Sequence, residues 1–342
     1  MIRWIAALAL IGSTSAIAQS DAKPLFASDA PIRLKLQGPI GKIVGRAARN
    51  VQPEAATLTL VDPAETHAIR LSPRGLSRRT GDICQFPPLR IEFAQPPPAT
   101  SLFAGQRRLK LVTHCRPSAG FQQHLLMEYA TYRMLNQLSP LSYRARLATV
   151  DYAEPSGKVS TSRWGFLIED VGDVARRNGL TEARVGDRIL STQLEARQAA
   201  RVALFQYMIG NLDWSMRAGP PGEGCCHNSR LLSGQGAALV PVAYDFDYSG
   251  LVDAPYAMPP EQIPVRSVRT RFYQGYCRHN PQALAAAAEF RAQRGAIEGV
   301  FGQIPGLEAR TRSKALSYLN GFFAEIATDE SMRAKILKNC LN

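Results

Sequence analysis

The sequence lacks the compact signatures that reveal a chemistry at a glance. It has no CxxC or HxxxH spacing, which removes the usual zinc cages. It has no GxSxG and no Cys/His arrangement of the acyl-transfer kind, and no GxGxxG. Gly38-Pro39-Ile40-Gly41-Lys42 fails as a phosphate loop because Ile43, not Ser or Thr, follows the lysine. No tandem repeat is present, and after the N-terminal segment no apolar run approaches the roughly 18 residues of a membrane span. Acidic residues are short: 28 Asp+Glu stand against 41 Lys+Arg, giving +13. That balance favours phosphate groups, acidic headgroups of the envelope or acidic proteins as partners. Nucleic acid is disfavoured, since no interleaved aromatic and basic motif accompanies the charge.

What is present begins with an export signal. Arg3 precedes the apolar stretch Trp4 to Ile11, and Ala16-Ile17-Ala18 is a peptidase-type cleavage triplet, so residues 1–18 are expected to leave a chain starting at Gln19. A periplasmic or secreted location follows, and with it an oxidising setting for six cysteines. Pro88 to Phe93 and Arg107 to Val112 read as two strands of a hairpin centred near residue 100, which places Cys84 across from Cys115. Adjacent Cys225 and Cys226 are awkward partners for each other; each is expected to bond elsewhere, with Cys277 and Cys340 remaining.

The pattern is α+β. Pro31 to Leu36, Ala56 to Val61, His67 to Leu71, Leu89 to Phe93, Leu109 to Val112, Arg144 to Tyr152 and Trp164 to Ile168 have strand composition. One helix, His124 to Leu138, interrupts them and places Glu128 beside Leu125, Tyr132 and Leu135, where an inward carboxylate requires a cation. The polar connector Glu169 to Asp173 separates a strand-rich part, 19–170, from a mainly helical part, 171–342. That second part opens with a long helix, Thr192 to Ile209, ended by Gly210.

The richest segment follows that helix: Gly210-Asn211-Leu212-Asp213-Trp214, a Gly/Pro-rich insertion, His227-Asn228, and a hairpin whose return strand runs into Asp245-Phe246-Asp247. The hairpin brings Asn228 and Asp245 to one open end, with Asp213 arriving from the helix. Carboxylates and an amide converging there suit Mg²⁺, a hard ion that prefers oxygen.

A helix, GNxD, HN with two leucines and a strand ending in DFD resembles the catalytic and metal-binding loops of atypical protein-kinase-like folds, in particular the spore-coat CotH kinase family. Arg74-Gly75-Leu76-Ser77-Arg78 and the strand Leu89 to Phe93 are similar to that family's RGxS segment and the strand after it. The resemblance implies a two-lobed protein-kinase-like fold with a strand-rich N-lobe and a mainly helical C-lobe. It implies Lys110 on nucleotide phosphates with Glu128 as its partner, and Glu169 at the lobe connection beside adenine. Asp213 becomes the residue that positions or deprotonates an acceptor hydroxyl, in a protein acceptor, while Asn228, Asp245 and secondarily Asp247 hold Mg²⁺ against ATP. The implied activity is a secreted, Mg²⁺-dependent ATP phosphotransferase. Two alternatives stand beside it: a non-catalytic binding module, favoured by the missing glycine loop and the scarcity of ATP outside the cytoplasm, and a hydrolase in which Asp213, His227, Asp245 and Asp247 hold a metal that activates water.

Overall fold

A computed structural model describes residues 22–236 and 238–342; the expected signal peptide, residues 1–18, lies outside them. Seven strands dominate the first half: Ile32–Gln37 (β1), Glu54–Leu60 (β2), Glu65–Pro73 (β3), Leu89–Phe93 (β4), Arg108–Val112 (β5), Ala145–Ala153 (β6) and Val159–Ile168 (β7). Most alternate apolar and polar side chains, so each can turn one face inward. β1 to β5 form an antiparallel meander, β7 follows β5, and β6 lies beside β7. β6 then returns alongside β1 in parallel, Ile32 opposite Ala148 and Gln37 opposite Ala153, which closes the sheet into a barrel. Leu34, Leu58, Ile69, Ile91, Leu111 and Val150 pack its interior.

This closure corrects the expected architecture. A closed seven-stranded mixed barrel accompanied by a second, smaller sheet is not a typical two-lobed protein-kinase-like fold. The deciding contact is the parallel β1–β6 pair, which no local pattern announces because its partners are far apart in sequence. The strand-rich part also holds two helices rather than one, Ile40–Gly45 (α1) and Ala119–Leu138 (α2). α2 starts before His124, with the Phe121 N–H donating to the Ser118 carbonyl at 3.1 Å, and its first turns, with Gly120, Gln122 and Gln123, carry no apolar stripe for periodicity to detect.

β7 ends at Ile168, and Asp170 caps the next helix, Val171–Arg177 (α3), through its carboxylate and the Gly172 N–H at 3.0 Å. The remaining helices are Ala196–Ile209 (α4), Asn280–Ala292 (α5), Arg294–Gly299 (α6), Ala309–Glu325 (α7) and Asp329–Lys335 (α8). α4 begins later than Thr192 because the Glu195 side chain accepts from the N–H groups of Arg197 and Gln198 and sets the start there. The part expected to be mainly helical also carries the three-stranded sheet of Thr181–Glu182 (β8), Ser229–Ser233 (β9) and Val240–Ala243 (β10), in the order β10, β9, β8. One large core joins α2 to this half through Tyr132, Phe166, Phe205 and Phe246. Residues 244–275 contain no helix or strand.

Three disulfides are present: Cys84 with Cys115, Cys225 with Cys226, and Cys277 with Cys340. The second corrects the expectation that the adjacent cysteines bond elsewhere. Leu341 pairs with Tyr276 and accepts from the Cys277 N–H at 2.8 Å, so the C-terminus carries Cys340 to Cys277 and leaves the insertion no other partner. No helix among the described residues is long and apolar enough to cross a membrane.

Candidate active site

The β9–β10 hairpin sets Ser229 opposite Ala243, and one step further the Tyr244 N–H donates to the Asn228 carbonyl at 3.1 Å. The two residues at this open end, Asn228 (φ 47°) and Asp245 (φ 63°), both occupy the left-handed region. Asn and Asp tolerate it best among residues with a side chain, and the cost, of order 1–3 kcal/mol each, is concentrated at functional positions. Packing fixes Asp245 in place: its N–H donates to the hydroxyl of Tyr132, a buried residue of α2, at 3.0 Å.

Asp213 arrives from the end of α4. Asn211 Oδ1 accepts its N–H, and the Asn228 amide donates to both its carbonyl (2.7 Å) and its Oδ2 (3.0 Å). His227 Nε2 lies 2.7 Å from the other carboxylate oxygen, and this hydrogen bond holds the imidazole above its ordinary pKa. Ser215 and His227 exchange backbone hydrogen bonds, so the insertion between them leaves and returns through a closed base without disturbing Asp213.

A second group centres on Arg78, carried by the 3-10 turn Ser77–Arg79. Each of its nitrogens faces a different carboxylate: Nη1 lies 3.2 Å from Glu128, Nη2 3.0 Å from Asp245 and Nε 3.3 Å from Asp247. Asp247 also accepts from the Tyr256 hydroxyl. Burial pushes the Glu128 and Asp247 carboxyls up, and the attraction of Asp247 and Glu128 more than offsets burial at Arg78, which is held well above its usual range. One oxygen of each carboxylate lies within 4.8 Å of the others, and Glu128 Oε1 is buried without a partner. The side chains of Asp245, Asp213 and His227 are 36%, 31% and 34% exposed, so these three are open to solvent. Glu128 and Asp247, at 3% and 6%, are buried.

The expected Lys110–Glu128 pair does not form; the cation on Glu128 is Arg78. Lys110 instead lies over the rings of Tyr143 and Tyr244, 5.9 and 6.0 Å from their centroids, with Arg90 as its neighbour on β4. Burial and then the charge of Arg74 bring its ammonium down to about 8. Arg74 attracts Asp245 and repels Lys110, and Arg230 lies over Tyr244, one of the two rings beside Lys110. Glu169 is committed elsewhere: it is buried, accepts the Arg144 N–H at 2.9 Å and Arg177 Nε at 3.1 Å, and so braces the connector.

Sequence reasoning missed Arg78 as a site residue. The available signal was the unassigned cation demanded by an inward Glu128, with Arg74, Arg78 and Arg79 all in one short stretch. No protein-family model matches the chain, and no curated protein is significantly similar to it.

Proposed function

We propose that this chain is an exported, divalent-cation-dependent phosphotransferase that takes a nucleotide as donor and a hydroxyl, most simply that of a protein, as acceptor. One observation carries the reading: Asn228 and Asp245, both held in left-handed backbone, meet Asp213 where the charge of Arg74 acts on Asp245 and, with Arg230, on Lys110; we take the space these groups border as the nucleotide cleft. Oxygen donors beside cationic groups suit a metal and a polyphosphate side by side. The residues present fit the ion. Asp245 and the Asn228 amide oxygen would hold it, with Asp247 and the unpartnered Glu128 Oε1 within reach. A bound Mg²⁺ supplies charge neutralisation at the phosphates.

The protein's own groups do the rest. Lys110 and Arg74 draw in and neutralise the donor phosphates. Asn228 and His227 hold both oxygens of Asp213, which orients the acceptor hydroxyl and takes its proton. Arg78 fixes Glu128, Asp245 and Asp247 relative to one another. Three disulfides support an oxidising compartment outside the cytoplasm.

A second reading rests on the short His227–Asp213 contact, which suits an imidazole poised to activate water in a phosphoester hydrolase. Replacing His227 by Ala abolishes nucleotide-independent phosphoesterase activity in that case; in the first it lowers transfer from ATP by freeing one Asp213 oxygen, while nucleotide binding is kept.

Thermal unfolding with ATP and Mg²⁺ tests the main proposal on wild type, Asp245→Asn and Asp213→Ala. Asn is preferred to Ala at 245 because the carboxylate also binds Arg78. Nucleotide should stabilise wild type and Asp213→Ala but not Asp245→Asn, and only wild type should transfer phosphate. Equal stabilisation of wild type and Asp245→Asn would sink the metal assignment. No stabilisation in any of the three points to a non-catalytic module.

A further inference from the structure

A second basic surface lies where α7 meets the irregular segment 244–275. A cavity of about 660 Å³ there is lined by Arg269, Arg271, Ser313, Lys314, Ser317 and Tyr318, among others. Both guanidinium groups are fixed before any ligand arrives, lying 4.9 and 3.9 Å from the Tyr318 ring centroid. Arg271 donates Nε to the Met208 carbonyl (3.2 Å) and Nη2 to the Tyr318 carbonyl (2.6 Å), which leaves Nη1 as its open edge. That edge lies against Gly321, where a Cβ would stand 3.4 Å from Nη1, so a larger side chain here would crowd it. Arg269 commits Nη1 to the Gly250 carbonyl and to Asp253, and keeps Nε and Nη2. Ser313 and Ser317 stand one helical turn apart on α7. Lys314 has no carboxylate partner among the described residues, and Asp253, the one carboxylate in the lining, is already paired with Arg269. An adjoining cavity of about 370 Å³ shares Asp253, Arg269, Lys314 and Tyr318 and adds Arg310 and Glu308, one charge of each sign.

We infer that this groove is a separate oxyanion site that takes a phosphate monoester. Two pre-oriented guanidinium edges, an ammonium and two hydroxyls offer more donors than a carboxylate's two oxygens can use, and they suit the three terminal oxygens of a phosphate. Because the guanidiniums are already ordered, little side-chain entropy is lost on binding. The site makes no use of the cleft residues and stands whether or not the cleft binds nucleotide. It gives the excess of basic residues a local purpose, recognition of a phosphorylated small molecule or lipid headgroup.

Glycerol 3-phosphate is titrated calorimetrically into the full chain, in a Lys110→Gln background that weakens phosphate binding in the cleft. Lys314→Glu and Ser317→Glu, both on the exposed side of α7, should each weaken binding by roughly tenfold or more, the scale of a lost charge-assisted hydrogen bond. Lys158→Glu, an equal charge change on the β6–β7 turn, should leave it unchanged. Vesicles of phosphatidylcholine with and without phosphatidic acid identify the source. Sedimentation with phosphatidic acid, lost in Lys314→Glu, assigns the phosphate to a lipid; binding of the soluble ester alone assigns it to a free metabolite. Affinity in Lys314→Glu equal to that of the parent, an equal loss in Lys158→Glu, or no binding to either probe overturns the proposal.

Discussion

Burial and the Arg74 guanidinium bring the Lys110 ammonium down to about 8, with Arg230 and Arg108 acting in the same direction and Asp170 opposing them. Lys110 is therefore a cation at neutral pH and loses its charge as pH rises past that value. Nucleotide affinity in the presence of Mg²⁺ should be full near pH 7 and decline as the solution becomes more alkaline, with a midpoint above 8 because bound phosphate draws the proton back. Lys110→Arg should flatten the profile, which a fluorescent-nucleotide titration across pH reads directly. The effect on folding has its own sign. A lysine whose folded value lies below its unfolded 10.5 contributes stability that is fully present above 10.5 and is lost as pH falls through about 8. At this scale the sequence was legible where chemistry is tied to chain order: Asp213, Asn228 and Asp245 are set close together by one helix end and one hairpin. Glu128 was legible as an inward carboxylate. Its cation was not, because a helical position states which way a side chain faces and not which distant turn will meet it.

At the scale of single elements, the end of α4 is the most constrained junction. Gly210 is left-handed (φ 65°), and a Cβ there would run into the hydroxyl of Tyr318, which already donates to the Arg269 carbonyl. Gly210→Ala therefore combines backbone strain with a forced shift of α7, and we expect a loss of about 1–3 kcal/mol, seen as a clear fall in the thermal midpoint. Strands were the most readable elements. β4 runs from Leu89 to Phe93 as its composition indicates, whereas the first residues of β7, from Val159 to Arg163, escaped notice because all but Val159 are polar and none is buried. The start of α2 escaped for the same physical reason: an element whose first turn meets solvent leaves no hydrophobic period to read.

Across the whole molecule, the three disulfides should differ in worth according to the chain they enclose. Cys277–Cys340 spans 63 residues and Cys84–Cys115 spans 31, while Cys225–Cys226 joins neighbours. In the chain-entropy view the first two each contribute about 3–4 kcal/mol and the third almost nothing. Denaturant unfolding of the three paired Cys→Ala variants should show that order; a loss in Cys225→Ala/Cys226→Ala as large as in Cys277→Ala/Cys340→Ala would contradict it. That the barrel strands end at Ile168 was visible in composition, as was the later hairpin of β9 and β10; the two-residue strand β8 was not. The closing of the strands on themselves was not, because it depends on which distant strand finds which.

The β1–β6 pair joins Ile32 to Ala148, so the first strand made waits for more than a hundred further residues before its second neighbour exists. During that interval the growing meander has two free rims, each a row of unpaired amide and carbonyl groups able to recruit the rim of another molecule. β6 covers the rim at β1, and β7, paired with both β6 and β5, covers the other. The event that completes the barrel thus ends the period in which the nascent chain can be captured by its own copies, and how soon β7 follows β6 decides how long that period lasts.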